Sequence, residues 1–155
     1  GKKLYRDLNY LNFKVFFFDI DKKLKKKRGY LSLQKLLKIS DVVSLNMSYK
    51  KQNLNFFDKK LLNLCKNNFI LVNTARGELI NEYDLLHFLK KNKNSCAYLD
   101  VIQSEIKNYN KNILYKYSKQ NKNLYITPHL GGSTNDALKE TEDIVISNFL
   151  KQKNK

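Results

Sequence analysis

Short apolar runs alternate with helix-like segments along this chain, and this alternation restricts its fold more than any other feature. Val15–Phe18 and Phe69–Val72 are apolar at consecutive positions, so both faces of each predicted strand are expected to be buried. Such strands occur in parallel sheets that helices cover on two sides. Right-handed crossovers between them give a doubly wound sheet. The sequence therefore predicts an α/β fold.

Helices and strands follow one another from one end of the chain to the other. Amphipathic spacing and a polar capping residue indicate each helix. The predicted helices are Lys2–Leu11, Leu33–Lys38 after Ser32, Lys59–Lys66 after Asp58, Asn81–Lys91, and one from Ser133 or Thr134 to about Gln152. The predicted strands are Phe13–Phe18, Asp41–Asn46, Phe69–Asn73, Cys96–Val101 and Leu124–Thr127. Polar loops are expected over Asp19–Tyr30 and from Val101 to about Asn123.

The composition is that of one globular domain and argues against several other classes of protein. Hydrophobic residues make up 42% of the 155 residues, more than a disordered chain carries. No apolar run approaches the ~20 residues that cross a bilayer, so no membrane association is expected. Cys65 and Cys96 lie outside any CxxC or Cys/His pattern, so no metal site is expected. Two unpaired thiols fit a reducing, cytoplasmic location.

A net charge of +16 raises the alternative of nucleic-acid binding. The lysines are spread over the whole chain, with the highest density at Lys22–Arg28, and they alternate with many asparagines. No basic motif interleaved with aromatic residues, as RNA-binding modules have, is present. We therefore expect no nucleic-acid partner and attribute to the charge an attraction for small anions.

Polar residues follow the predicted strands, where ligands bind in sheets of this kind. The candidates are Asp19, Asn46–Ser48, Thr74–Gly77, Asp100–Glu105 and His129–Gly132. Asp19 ends a strand at about the distance from Gly1 at which an acidic residue contacts the adenosine ribose in dinucleotide-binding units. Taken alone, an Asp in this place is more often only a turn residue.

The segment ILVNTARG (Ile70–Gly77) places Arg76 after a buried strand. A guanidinium group matches a carboxylate with two charge-assisted hydrogen bonds. LDVIQSE (Leu99–Glu105) and TPHLGGST (Thr127–Thr134) place Glu105 and His129 after two further strands. A carboxylate beside a histidine orients the ring and stabilises the imidazolium, which suits proton transfer. An isolated pair of this kind is more often structural.

Together these segments resemble the D-isomer-specific 2-hydroxyacid dehydrogenase family over Gly1 to about Leu150. The resemblance implies a Rossmann-type sheet that lacks its first strand, because Gly1 would be the third glycine of GxGxxG. Residues 1–155 would then be a partial NAD-binding domain without the substrate-binding domain, inactive alone. Homo-oligomers form through this domain in the family.

The resemblance also implies individual roles. Arg76 would bind the substrate carboxylate, His129 would protonate the carbonyl oxygen as hydride arrives, and Glu105 would hold His129. Asp19 would bind the adenosine ribose of NAD and Asp100 the nicotinamide carboxamide. Residues that would line the nicotinamide are Thr74, Ala75, His129, Gly131 and Gly132.

The implied function is hydride transfer between nicotinamide and C2 of a small D-2-hydroxy or 2-keto acid. VFFFDI, SDVVSL and TPHLGGST favour D-3-phosphoglycerate as the substrate, whereas Ala137 and Thr141–Glu142 are similar to members that act on other hydroxy acids. An NAD-sensing corepressor, which resembles the same family, is the alternative from a different class of function. The Arg, Glu and His residues do not discriminate between these alternatives.

Overall fold

The computed structural model describes residues 1–105 and 109–153, and its centre is a sheet of four parallel strands. The strands lie side by side in chain order: β1 (Val42–Leu45), β2 (Ile70–Asn73), β3 (Cys96–Leu99) and β4 (Leu124–Ile126). Val43, Leu71 and Ala97 are in register across the first three strands. The predicted α/β fold with a parallel sheet is confirmed.

Helices precede, connect and follow these strands along the described chain. They are α1 (Lys2–Tyr10), α2 (Leu33–Ile39), α3 (Lys59–Leu62), α4 (Glu82–Lys91), α5 (Ile113–Ser118) and α6 (Asn135–Lys153). Short 3₁₀ turns cover Lys22–Lys26, Lys51–Asn53, Gly77–Leu79 and Tyr109–Lys111. The predicted helix over Lys59–Lys66 is shorter than expected, since α3 ends at Leu62.

Side-chain caps place the starts of the helices where the sequence predicts them. Ser32 accepts a hydrogen bond from the backbone of Lys35, and Asn81 accepts one from Asp84. Asp58 accepts two from the first turn of α3. Of the two residues predicted to cap α6, Thr134 accepts a hydrogen bond from the backbone of Ala137. These bonds satisfy amide groups that the first turn of a helix leaves unpaired.

The predicted strand Phe13–Phe18 is wrong over most of its length. Phe17 alone forms a bridge, parallel to Tyr30, and its backbone exchanges hydrogen bonds with Gly29 and Leu31. An apolar run becomes a strand only where a neighbouring backbone supplies a continuous ladder. In the described chain, this segment instead packs its rings, with Phe17 edge-on to both Tyr5 and Tyr30.

The predicted loop between Val101 and Asn123 also needs correction, because it contains α5. Asn112 caps this helix through hydrogen bonds from Leu114 and Tyr115, and Leu114 and Tyr117 are buried. The flanking polar residues hid this short helix from the sequence pattern. Residues 106–108 of the predicted loop lie outside the described residues.

The core lies on one face of the sheet. Leu71 and Ala97 from the strands pack with Leu62, Leu85 and Leu114 from the helices. Since successive strands move in one direction across the sheet, right-handed crossovers place their connecting helices on one side. On the other face the exposed aromatic and aliphatic side chains are Val42, Tyr98 and Tyr125. The sequence predicts that both faces of the sheet are buried. In the described chain, the core covers one face and the other is exposed.

The buried thiol of Cys65 gives a test of this core. Burial raises its pKa to about 12, so the reactive thiolate is scarce at mildly alkaline pH. We expect the Cys96→Ser variant to resist a disulfide thiol reagent until the protein is unfolded with urea. The Cys65→Ser variant is the control, because its half-buried Cys96 keeps reacting in the folded state. Rapid labelling of native Cys96→Ser protein would contradict the burial of Cys65.

Candidate functional site

The turn that carries Arg76 is built on a buried asparagine at the end of β2. Asn73 is fully buried; its side chain accepts a hydrogen bond from the backbone of Ala75 (3.0 Å) and donates one to the carbonyl of Arg76 (2.9 Å). The amide thus replaces backbone partners that the turn lacks. The sequence analysis did not assign Asn73 a role, although a polar residue at a buried position of an apolar strand signals one.

Gly77 brings this turn against the loop that follows β3. A Cβ atom at Gly77 would lie 2.2 Å from the carbonyl carbon of Ile102 and 2.6 Å from the backbone nitrogen of Gln103. Such distances are below any van der Waals contact, so only glycine permits this approach of two backbones. The Arg76 turn and the loop that bears Glu105 are therefore direct neighbours.

His129 and Glu105 form an ion pair at the carboxyl edge of the sheet. Nδ1 of His129 lies 2.6 Å from Oε1 of Glu105, and the other carboxylate oxygen accepts a hydrogen bond from the backbone of Ile102 (3.4 Å). The ring is partly exposed, and its backbone has a left-handed φ of 54°. With Nδ1 directed at the carboxylate, Nε2 is the ring atom that can face a ligand.

Asp100 holds the loop on which His129 lies. One of its carboxylate oxygens accepts hydrogen bonds from the Thr127 hydroxyl and the Leu130 backbone, and the other accepts one from Gly131. Burial favours the neutral acid, but these bonds and the nearby charge of His129 outweigh it and lower the pKa of Asp100. Asp100 is thus an anion that organises the turn, a task the sequence did not reveal for it or for Thr127.

A cleft of about 480 Å³ opens beside these loops, at the carboxyl ends of β1 and β2. Gly1 at the start of α1 forms one wall, and Asn46, Thr74, Ala75 and Arg76 are among the residues that form the others. The nine-residue helix α1 directs its unpaired amide groups and positive dipole end here, an arrangement that favours a phosphate. A Cβ atom at Gly1 would lie 3.6 Å from the Cβ of Asn46, within ordinary van der Waals contact. The residues present therefore fit the pyrophosphate of a dinucleotide.

Not every predicted site residue lines this cleft. Asp19 is exposed, and its carboxylate accepts a hydrogen bond from the backbone of Asp21 (2.8 Å). The guanidinium of Arg76 donates to the carbonyl of Ala75 (2.6 Å). His129 lies outside the lining, on the adjacent loop, and a Cβ at Gly132 would meet open space. The edge therefore holds a cationic cleft beside a His–Glu pair.

This arrangement can bind an anion and transfer a proton at neighbouring positions. Among the described residues, no cluster of three or more metal-ligating side chains occurs. Within the same residues, no helix has the length and apolar character needed to span a membrane.

Comparison with known proteins gives a consistent result. The profile of the D-isomer specific 2-hydroxyacid dehydrogenase NAD binding domain matches residues 1–131. The chain is 33% identical over 121 residues to a glyoxylate reductase of Thermococcus litoralis, covering 78% of this chain and 35% of that protein. It is 32% identical over 143 residues to D-3-phosphoglycerate dehydrogenase of Haemophilus influenzae, covering 91% and 35%.

A solved structure agrees with these sequence relatives. D-lactate dehydrogenase of Aquifex aeolicus, crystallised with NAD and lactic acid, superposes with a TM-score of 0.77 at 30% identity. The match covers 98% of this chain and 50% of that one. The chain thus spans about a third to a half of the length of the proteins it resembles.

Proposed function

This chain belongs to the D-isomer-specific 2-hydroxyacid dehydrogenases, whose NAD-binding domain it matches, and we propose that the complete protein reduces a small 2-keto acid to the D-2-hydroxy acid and catalyses the reverse reaction. NAD in its reduced form, when bound, supplies the hydride. The observation that carries this proposal is the 2.6 Å contact between His129 and Glu105 on the loop adjacent to the Arg76 turn. It places a proton donor, held by a carboxylate, at the same edge of the sheet as the Arg76 turn.

His129 is the proposed acid of the reaction. Its Nε2 delivers a proton to the carbonyl oxygen while hydride reaches the carbonyl carbon, and it takes the proton back in the reverse direction. Glu105 holds the ring through Nδ1 and stabilises the imidazolium before transfer. The support is the ion pair itself, which directs Nδ1 at the Glu105 carboxylate.

Arg76 is the proposed clamp for the substrate carboxylate. Its side chain is exposed, so the guanidinium can leave the carbonyl of Ala75 and turn toward a ligand in the cleft. Two parallel hydrogen bonds to a carboxylate then fix the orientation of the adjacent carbonyl group. The rest of the substrate site is proposed to come from a substrate-binding domain outside residues 1–155, in agreement with the partial coverage of the relatives.

NAD is proposed to lie along the cleft. The start of α1 binds its pyrophosphate, Asp19 its adenosine ribose, and Thr74, Ala75, Gly131 and Gly132 line the nicotinamide. For Asp100 we propose that the carboxylate contacts the nicotinamide carboxamide while it holds the His129 loop. The cleft volume and the dipole of α1 support this placement.

The substrate proposed first is the D-3-phosphoglycerate pair, on the strength of the VFFFDI, SDVVSL and TPHLGGST segments and the Haemophilus relative. The test measures NADH oxidation by the complete polypeptide with 3-phosphohydroxypyruvate, glyoxylate, pyruvate and hydroxypyruvate. We expect activity with at least one of them and the highest kcat/KM with the phosphorylated acid. Activity highest with another acid would change the substrate, and none with any 2-keto acid would overturn the proposed function.

A homo-oligomer in the cytoplasm is proposed as the working form. The exposed side chains of Val42, Tyr98 and Tyr125 on the uncovered face of the sheet support burial against further protein. Light scattering coupled to size-exclusion chromatography of the complete polypeptide tests the assembly, and a monomeric mass would contradict it.

Cofactor choice gives a prediction for Asp19. A carboxylate beside the ribose accepts hydrogen bonds from the ribose hydroxyl groups, and it repels the extra phosphate of NADP. We expect Asp19→Ser to lower kcat/KM for NADH by about 10–100-fold, the loss of hydrogen bonds to a charged group, and to lower it much less for NADPH. Asp21→Ser is the matched control, because the Asp21 carboxylate accepts a hydrogen bond from the backbone of Lys23 within the loop. If Asp19→Ser and wild-type enzyme had the same ratio of kcat/KM for NADH to kcat/KM for NADPH, Asp19 would have no role in cofactor choice.

A further inference from the structure

Glu82 is a buried carboxylate that the proposed chemistry does not use. It is the first residue of α4, and only 8% of its surface is exposed. Oε1 accepts a hydrogen bond from the backbone nitrogen of Gln103, and Oε2 accepts one from the side chain of Asn112, each at 2.7 Å. Burial raises the pKa of Glu82, and these two bonds oppose the rise. A buried acid with two defined partners calls for a structural or functional reason.

The direction of these hydrogen bonds requires a carboxylate. The side-chain oxygen of Asn112 caps α5, where it accepts hydrogen bonds from the backbone amides of Leu114 and Tyr115. Its NH₂ group must therefore donate, and it donates to Glu82 and to the carbonyl of Gln103. A glutamine at position 82 has one acceptor oxygen and would turn an NH₂ group toward one of two donors.

The partner of Glu82 lies in the short turn that ends at Glu105. Ser104 has a left-handed φ of 55°, and the backbone of Ile102 donates to the Glu105 carboxylate. The turn touches Gly77 on one side, while the Gln103 side chain donates to the carbonyl of Ile80 and to Asn55. The Glu105 end of the turn meets His129, so the backbone of Gln103 is a fixed point two residues from the ion pair.

We propose that Glu82 is a positioning residue for proton transfer: by holding the backbone of Gln103 against the start of α4, it keeps the Glu105 carboxylate in contact with Nδ1 of His129. The inference rests on the proposed function of His129 and Glu105. Glu82 acts only through this turn and touches neither substrate nor cofactor.

The test compares Glu82→Gln and Glu82→Ala with the wild type in the complete polypeptide. A misplacement of a catalytic group by about 1 Å costs on the order of 100-fold in rate. We expect kcat to fall by about 10–100-fold in both variants, with the KM for the keto acid and the Kd for NADH nearly unchanged. Titration with NADH counts the folded sites, so the loss is expressed per binding site. Glu140→Gln, an exposed acid on α6, is the matched control and should retain wild-type kcat.

A double-mutant cycle separates positioning from general stabilisation. If Glu82 works through Glu105, then Glu82→Gln should cost less than about twofold in kcat when Glu105 is already alanine. A full additional loss in that background, or a wild-type kcat in Glu82→Gln itself, would overturn the inference while leaving the dehydrogenase function intact. An inactive wild-type protein would instead overturn the proposed function, so the two failures are distinguishable.

Discussion

Replacement of His129 by alanine in the complete polypeptide is expected to lower kcat for keto-acid reduction by about 10²–10⁴-fold, the contribution of a positioned general acid. The hydrogen bond from Nδ1 to Glu105 leaves Nε2 to supply the proton, and the other histidine of the chain, His87, lies on α4 and does not line the cleft. The affinity for NADH should stay within about twofold of wild type, because the proposed dinucleotide site is formed by the cleft and α1 and its pyrophosphate does not need this ring.

The measurement pairs stopped-flow single turnovers with NADH fluorescence titration. Single turnovers isolate the chemical step from product release, which limits kcat in many enzymes. His87→Ala is the matched control, because His87 is exposed on α4 and does not line the cleft. A single-turnover rate for His129→Ala equal to that of His87→Ala would remove His129 from the mechanism.

The second large effect is expected at Arg76. Arg76→Ala would remove the two charge-assisted hydrogen bonds proposed for the substrate carboxylate, worth about 1.5–3 kcal/mol each, so kcat/KM should fall by about 10²–10⁴-fold. Most of the loss should appear in KM, because capture of the acid depends on the guanidinium. Arg76→Lys should recover only part of it, since a single ammonium cannot reproduce the planar fork.

An exposed arginine provides the control for charge alone. Arg6→Ala removes a guanidinium that is paired with Asp7 on the surface of α1 and should leave KM unchanged. A further measurement uses the corresponding 2-keto amide as the substrate, for which wild type and Arg76→Ala should differ little. If Arg76→Ala retained a normal KM and rate with the keto acid, the clamp would have to be another residue.

Local chemistry explains which parts of the fold were predictable. A cap such as Asn81 is decided by its own side chain and the amide three residues later, so its position is readable from the sequence. The strand Phe13–Phe18 was predicted wrongly, because its backbone needs neighbours that pairing supplies only at Phe17. Helix α5 was missed, because its stability comes from Leu114 and Tyr117 packed into the core.

The candidate site shows the same division. Arg76, Glu105 and His129 were predicted as a group because three strand ends share one edge of a parallel sheet. The contacts that hold them were not predicted: Asn73 braces the Arg76 turn, and Asp100, predicted only as a nicotinamide contact, also anchors the His129 loop. Each of these side chains acts on backbone groups, whose positions no spacing rule provides.

By itself, the sequence determined the α/β class, the order of most elements and the three side chains proposed for the chemistry, because periodicity, caps and residue type are local properties. Only the tertiary structure decided that Gly77 lies against Ile102 and that Glu82 reaches Gln103. Such contacts join loops after different strands, and their distances depend on how helices pack on the sheet. The physical reason is that hydrogen bonding and close packing act over a few ångströms in space, regardless of separation along the chain.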